Sequence, residues 1–277
     1  LRRLADSYDG DRLVLGEVYL LSTAAVAKYF GKGDELHLAF DFTPLYAPWD
    51  ATAWRTCLDR VAAELGPIGA WPTWTLSNHD NSRHRSRYGG SEARARAAAV
   101  LLLTLRGSPF LYAGEELGLE DAAVPADRVV DPGGRDPCRA PFPWDASPRH
   151  GWETEEPWLP WPPSSDTHNA ESLGADPTSI LHLYRRLLAV RRASPALTRG
   201  DLLPLPSPAG VLAYRRDSPG GEDGADRRAV AVNFGSSPTV LDLDGRWRCE
   251  ISSDGRGENE AFTGALAGDQ AVILRPA

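Results

Sequence analysis

The chain has 277 residues, of which 42% are apolar, so it can bury one large core or a core with a small additional module. Its net charge of −8 argues against nucleic acid and anionic membrane surfaces as partners. No apolar run is long enough to span a membrane, and three widely spaced cysteines suit reduced thiols in the cytoplasm better than a disulfide framework.

Four short apolar runs recur along the first part of the chain, and each has the length of a buried strand. A barrel of eight parallel strands, which has about 250 residues, repeats a strand and a helix roughly every 31 residues. The spacing of the four runs is close to that repeat, so they predict four βα units, which is half of such a barrel. The runs are Leu13–Leu15, Leu36–Phe42, Thr73–Leu76 and Pro109–Tyr112.

Three helices are predicted among and after these strands, because apolar stripes of helical period follow residues that begin helices. Aspartate and serine cap the first two, and proline stands at the first helical position of the third. The predicted helices run from Asp50 to Gly66-Pro67, from Ser91-Glu92 to Arg106-Gly107, and from Asp176-Pro177 to the residue before Pro195.

A long irregular segment, roughly residues 118–176, precedes the last of these helices and contains many prolines and four tryptophans. Segments of this length without regular structure are usually functional or disordered, and the tryptophans argue against disorder. Their flat apolar faces suit the C–H faces of sugars, but they could equally anchor the segment to the barrel. The four are Trp144, Trp152, Trp158 and Trp161.

The pattern changes after Pro195, where short runs with period-two alternation are separated by turn residues. This predicts a small antiparallel β module over residues 196–277, behind a barrel portion over residues 1–195. The predicted strands are Val211–Arg215, Ala229–Phe234, Thr239–Leu243, Trp247–Ile251 and Ala271–Leu274.

Acidic and imidazole side chains follow two of the predicted parallel strands. Glu17 comes directly after the first strand, and His79 and Asp80 follow the third. Catalytic side chains of parallel barrels lie at the carboxyl ends of the strands, so these three should converge on one concave site. Two carboxylates placed there suit glycoside hydrolysis, in which one protonates the leaving oxygen and another stabilises the cationic sugar.

Four ordered motifs resemble glycoside hydrolase family 13, the α-amylase superfamily, and within it the bacterial α-glucosidases. Gly16–Tyr19 resembles the segment after the fifth barrel strand, Ser77–Asn81 the one after the seventh, and Gly107–Gly118 the eighth-strand motif. Arg135–Trp144 is similar to the loop that marks the α-glucosidase branch. The resemblance covers the C-terminal half of the family's (β/α)8 barrel and implies that the C-terminal module is a β-sandwich.

The resemblance implies a role for each motif residue. Glu17 would be the general acid/base, and Asp80 would stabilise the transition state. His79, Asn78, Arg139 and Trp144 would bind the substrate, a short α-glucoside such as maltose, without a cofactor or a metal. A pair of glutamates in the eighth-strand motif, Glu115 and Glu116, would hold the turn rather than react.

The family's nucleophilic aspartate has no counterpart in this sequence. Asp6, Asp9 and Asp11 lie in a turn-like stretch without the strand context that the nucleophile requires. The sequence also contains no methionine. We therefore expect a fragment whose nucleophile lies upstream of Leu1, and which is inactive alone.

Two alternatives stay open from the sequence. The first is a glucosyl transferase or isomerase of the same family, which differs by excluding water from the glucosyl-enzyme. The second is a remnant that binds carbohydrate without catalysis.

Overall fold

A computed structural model describes residues 1–154, 156–219 and 226–277. The first part of the chain carries four short strands in two parallel pairs, β1 with β2 and β3 with β4. All four lie within the predicted runs or one residue outside them. They are β1 (Leu15–Gly16), β2 (Leu38–Ala39), β3 (Thr73–Thr75) and β4 (Ser108–Phe110).

A side chain links the two parallel pairs. The Thr73 hydroxyl donates to the carbonyl oxygen of Ala39 at 2.9 Å and accepts from the amide of Asp41 at 3.3 Å. The hydroxyl therefore bridges β2 and β3 at a point where a continuous sheet would have backbone–backbone hydrogen bonds. The four strands consequently follow one another in chain order, as βα units require.

Eight α-helices are described, and the three long ones carry most of the buried apolar surface in this part of the chain. Short 3₁₀ turns join several of the elements. The helices are α1 (Arg2–Ala5), α2 (Thr23–Ala27), α3 (Ala51–Leu65), α4 (His84–Arg87), α5 (Glu92–Thr104), α6 (Ala170–Ala175), α7 (Ile180–Ala193) and α8 (Pro195–Arg199).

Two of the three predicted helix starts are confirmed. The Asp50 side chain caps α3 by accepting from the Ala53 amide at 2.8 Å, and Ser91 caps α5. The predicted start of α7 was wrong, because the Asp176 carboxylate accepts from both the amide and the hydroxyl of Thr178 at 2.8 Å. That turn delays the helix until Ser179, which caps it instead.

The C-terminal part forms a five-stranded antiparallel sheet in the order β5-β6-β7-β11-β9, and β8 and β10 form a separate pair. All five predicted strands are present, although the third is only two residues long. The sequence did not indicate β5, which contains Pro204, or the two-residue β10. The strands are β5 (Asp201–Leu205), β6 (Val211–Asp217), β7 (Arg227–Asn233), β8 (Thr239–Val240), β9 (Trp247–Ser252), β10 (Ala265–Leu266) and β11 (Ala271–Pro276).

One hydrophobic core joins α3, α5 and α7 to the inner face of this sheet, and a second lies between the sheet and the β8–β10 pair. Arg216 is fully buried at the first junction, where it donates to the carbonyl oxygens of Thr104, Gly200 and Asp201. The Tyr214 hydroxyl lies 2.6 Å from that of Thr104. Buried polar groups thus fix the helical part on the sheet.

The three cysteines, Cys57, Cys138 and Cys249, are free, and all three are buried, which the sequence did not predict. Among the described residues, no helix combines the length and the apolar character that crossing a bilayer would require.

Candidate active site

A small cavity of about 160 Å³ opens at the carboxyl ends of the parallel strands. Glu17 reaches it from the end of β1, and Asn78 and His79 reach it from the turn after β3. The structure therefore brings together three of the predicted site residues. The remaining lining residues are Phe40, Phe42, Thr75, Ser77, Phe110, Leu111 and Tyr112.

Aromatic rings form one wall of this cavity. Phe40 stacks on Phe42 with ring centroids 5.6 Å apart, and Phe110 meets Phe40 edge-on at 4.6 Å. Tyr19 packs against Phe42 at 5.5 Å. Sequence reasoning did not select these rings as site residues. The alternation of Phe40 and Phe42 around the end of β2 is the signal that could have found them.

The turn that carries the predicted residues is held by its own side chains. The Asn78 amide oxygen accepts from the backbone amide of Asp80 at 3.0 Å and from the Asn81 side chain at 2.9 Å. The Ser77 hydroxyl accepts from the His84 amide at 2.9 Å. Asn78 therefore shapes the turn besides lining the cavity.

The Asp80 carboxylate is surrounded by the basic side chains of the site. Its Oδ1 accepts from Arg135 at 2.9 Å and from Arg139 at 3.0 Å, and its Oδ2 lies 3.6 Å from His79 Nε2. Burial opposes ionisation of this carboxyl, but the hydrogen bond from Arg135 and the nearby positive charges outweigh it, so the pKa of Asp80 is lowered. The carboxylate stays charged beside the cavity.

Arg139 also donates from Nε to the His79 carbonyl oxygen at 2.7 Å. The structure thus ties Arg139 to the backbone and the carboxylate of the turn, and not to the cavity wall. Trp144 is 54% exposed and packs on Phe142 with ring centroids 4.5 Å apart. It is not among the residues that line the cavity.

Two tyrosines connect the loops after β1 and β3. The hydroxyls of Tyr19 and Tyr46 lie 2.7 Å apart, and the Tyr46 hydroxyl donates to Asn81 Oδ1 at 2.7 Å. Burial and the hydrogen bond with Tyr19 raise the pKa of Tyr46 to about 12. No local sequence pattern indicated this pair, because the two residues meet only in the folded chain.

Two buried titratable side chains lie behind the turn. Glu115 is 3% exposed, and burial raises the pKa of its carboxyl to about 8. His84 is equally buried, burial lowers its pKa to about 3, and its Nδ1 lies 3.0 Å from the Ser77 hydroxyl. Glu115 and His84 are therefore both neutral near pH 7, and neither lines the cavity.

The site places one carboxyl group in the cavity wall and one ionised carboxylate beside it. Glu17 is the only carboxylic acid among the described residues that line the cavity. A carboxyl that can exchange a proton, an imidazole that can donate a hydrogen bond and a fixed negative charge are groups suited to cleaving a glycosidic bond.

Comparisons with known proteins identify the family that the chain resembles. The family model described as alpha amylase, catalytic domain, matches residues 1–200. The chain is 36% identical over 203 residues to a probable alpha-glucosidase of Rhizobium meliloti, covering 68% of this chain and 36% of that protein. It is 31% identical to Maltase A1 of Drosophila melanogaster, covering 87% of this chain and 44% of the relative.

A solved structure of the alpha-glucosyl transfer enzyme XgtA superposes on the whole chain with a TM-score of 0.87 at 34% identity. The alignment covers 100% of this chain and 53% of XgtA. The chain thus spans about half the length of these proteins or less.

Proposed function

Because the chain belongs to the alpha-amylase family, we propose that it carries the acid/base and the charge-stabilising carboxylate of a retaining α-glucosidase. The observation that supports this most strongly is the cavity in which Glu17 lies beside the His79–Asp80 turn. The substrates we propose are short α-glucosides such as maltose. We propose residues 1–195 as barrel strands five to eight and residues 196–277 as a C-terminal β-sandwich.

The chemistry begins when a carboxylate nucleophile bonds to the anomeric carbon, the glycosidic bond breaks, and the Glu17 proton passes to the departing oxygen, which gives a glucosyl-enzyme. Glu17 then takes a proton from the water that hydrolyses the glucosyl-enzyme, so the anomeric configuration is retained. Asp80, kept ionised by two arginines, stabilises the positive charge on the sugar in both steps. His79 donates a hydrogen bond to a sugar hydroxyl.

The glucosyl-enzyme requires a nucleophilic carboxylate, which we place outside the 277 residues. Among the described residues, Glu17 is the one carboxylate in the cavity wall, and Glu17 is committed to proton transfer. We therefore propose that these 277 residues alone do not turn over α-glucosides. We place the activity in the cytoplasm, in keeping with three free cysteines.

Glucosyl transfer is the second candidate, and the likeness to XgtA favours it. The same acid/base and stabilising carboxylates serve both reactions. The difference lies in whether water or a sugar hydroxyl attacks the glucosyl-enzyme. Product analysis with maltose separates them, because transfer gives longer or rearranged oligosaccharides and hydrolysis gives only glucose.

The test is complementation with p-nitrophenyl α-glucoside as substrate. The 277-residue chain is assayed alone and then joined to the part of the Rhizobium relative that the alignment leaves uncovered. We expect turnover only in the joined protein. Asp80→Asn should abolish that turnover, whereas Asp127→Asn, an exposed carboxylate, should not change it.

Two results would contradict the proposal. One is robust hydrolysis by the 277-residue chain alone, because it would place the nucleophile within this sequence. The other is a joined protein that melts cooperatively and yet shows no turnover, which would favour a remnant that binds carbohydrate without catalysis.

A further inference from the structure

The two walls of the catalytic cavity stand on different strand pairs. Glu17 and Phe42 come from the chain after β1 and β2, whereas Asn78 and His79 come from the turn after β3. Among the described residues, β2 and β3 share no backbone pairing, and the Thr73 hydroxyl bridges them within the strands. The distance between the acid and the turn therefore depends on contacts beyond the strands.

A chain of hydrogen bonds crosses this gap at the carboxyl ends of the strands. It begins at Tyr19, in the loop after β1, whose hydroxyl lies 2.7 Å from that of Tyr46. Tyr46 donates to Asn81 Oδ1 at 2.7 Å, and Asn81 Nδ2 donates to Asn78 Oδ1 at 2.9 Å. The same Asn78 oxygen accepts from the backbone amide of Asp80 at 3.0 Å. The chain is unbroken from one loop to the other.

The donor of each bond in this chain follows from one backbone amide. The Asp80 N–H can only donate, so the Asn78 atom that it meets is the amide oxygen. That oxygen can only accept, so Asn81 turns its NH₂ group toward Asn78 and its own oxygen toward Tyr46. Tyr46 must therefore donate to Asn81 and accept from Tyr19. A side chain without a hydroxyl at position 46 breaks the chain at its centre.

We propose that Tyr46 is a positioning residue, which holds the Asp80 turn at the distance from Glu17 that the reaction requires. Tyr46 is not among the residues that line the cavity, so it acts through Asn81 and not on the sugar. This role rests on the proposed function, which assigns the acid and the stabilising carboxylate. A displacement of about 1 Å in a catalytic arrangement can cost about 10²-fold in rate, so a link across the gap affects turnover.

The experiment compares Tyr46→Phe with Tyr29→Phe in the joined protein, with maltose as substrate. Tyr29 is 42% exposed, close to the 46% of Tyr46, and its hydroxyl has no hydrogen bond among the described residues. We expect kcat to fall about tenfold in Tyr46→Phe with KM nearly unchanged, as for the loss of roughly one hydrogen bond. Tyr29→Phe should change neither. In an Asn81→Leu background, Tyr46→Phe should cost nothing further, because the chain is already broken.

Three kinetic results would overturn the proposal. A loss in KM alone, or a loss that adds in full to that of Asn81→Leu, would show that the Tyr46 hydroxyl contacts the sugar itself. An unchanged kcat in Tyr46→Phe would show that the link does not affect the reaction.

Hydrogen exchange of the Asp80 backbone amide gives a readout that needs no turnover. It is followed by NMR on the ¹⁵N-labelled 277-residue chain. We expect exchange about fivefold faster in Tyr46→Phe than in the wild-type chain or in Tyr29→Phe, because Asn78 is then less firmly oriented. Equal rates would overturn the link between Tyr46 and the turn. If the joined protein lacks turnover, the proposed function fails, and the exchange rates still decide whether Tyr46 holds the turn.

Discussion

The parallel strands near the candidate active site are two or three residues long, whereas β6 and β7 of the C-terminal sheet are seven residues long. The long strands pair in unbroken antiparallel register, with Val211 opposite Asn233 and Asp217 opposite Arg227. The short ones pair only in twos. The C-terminal sheet thus satisfies its backbone hydrogen-bonding groups by strand pairing. The short parallel strands have less pairing of this kind and depend on the elements packed around them for stability.

The two regions also differ in how far their apolar side chains are buried. Leu1, Leu4, Tyr8 and Leu13 are 91%, 59%, 59% and 61% exposed at the start of the chain, whereas residues 229–232 of β7 are at most 1% exposed. The core under the parallel strands comes from α3, α5 and α7 packed on the C-terminal sheet. We infer that the sheet is the support on which the candidate site is held in place.

The largest effect is expected at the junction of the two regions, from Arg216→Met. The change leaves two buried carbonyl oxygens and one part-buried carbonyl oxygen without their charged donor, which should lower the free energy of unfolding by about 3–5 kcal/mol. Urea unfolding of the 277-residue chain measures this. Arg246→Met, at an exposed position, should change the free energy of unfolding little.

The number of unfolding transitions in urea also tests this inference in Arg216→Met. One cooperative transition that moves to lower urea supports a sheet and a helical part that fold as a unit. Two separate transitions in the variant would show that the regions are independent, and would contradict the inference that the sheet supports the site.

A smaller effect, of about 2 kcal/mol between pH 6.5 and 8, is expected from the two buried titratable side chains behind the turn. The pKa of Glu115 is raised from 4.5 to about 8, so its neutral form stabilises the fold and that contribution is lost as the pH rises to about 8. The pKa of His84 is lowered from 6.5 to about 3, so its contribution is lost as the pH falls below 6.5. The two slopes cancel between pH 4.5 and 6.5.

Glu115→Gln tests this balance, because a glutamine side chain does not titrate. In the wild-type chain, stability should fall between pH 6.5 and 8 by about 1.4 kcal/mol per pH unit, and in the variant this decline should vanish. Glu153→Gln, at an exposed position, is the control. An unchanged decline in Glu115→Gln would show that another group titrates.

The smallest effect on the free energy of unfolding is expected from changes at the exposed start of the chain. Leu4→Lys with Leu13→Lys removes apolar surface that favours contact between copies, and each buried leucine is worth about 1.5–3 kcal/mol in such a contact. Size-exclusion chromatography with light scattering should show weaker self-association and a nearly unchanged urea midpoint. If the wild-type chain is monomeric at every concentration tested, the exposed surface does not drive self-association.

Local patterns predicted nine of the eleven described strands and the caps of α3 and α5, because an apolar run or an Asp50 cap acts within a few residues. The start of α7 was mispredicted because two capping residues, Asp176 and Ser179, compete within one turn. The motifs located Glu17 and the Asn78–Asp80 turn. They could not show the Tyr19–Tyr46 contact or the burial of Glu115, since both arise from packing between distant segments.

The central claim is that Glu17 transfers the proton to the leaving group. This step takes place in the cavity that Glu17 lines together with the turn that carries Asp80. The most direct test compares kcat/KM for maltose and for α-glucosyl fluoride in the joined protein carrying Glu17→Gln. Maltose needs the proton and fluoride does not, so we expect a loss of about 10²–10⁴-fold for maltose only. The control variant Glu35→Gln should change neither. An equal loss for both substrates in Glu17→Gln would contradict the account.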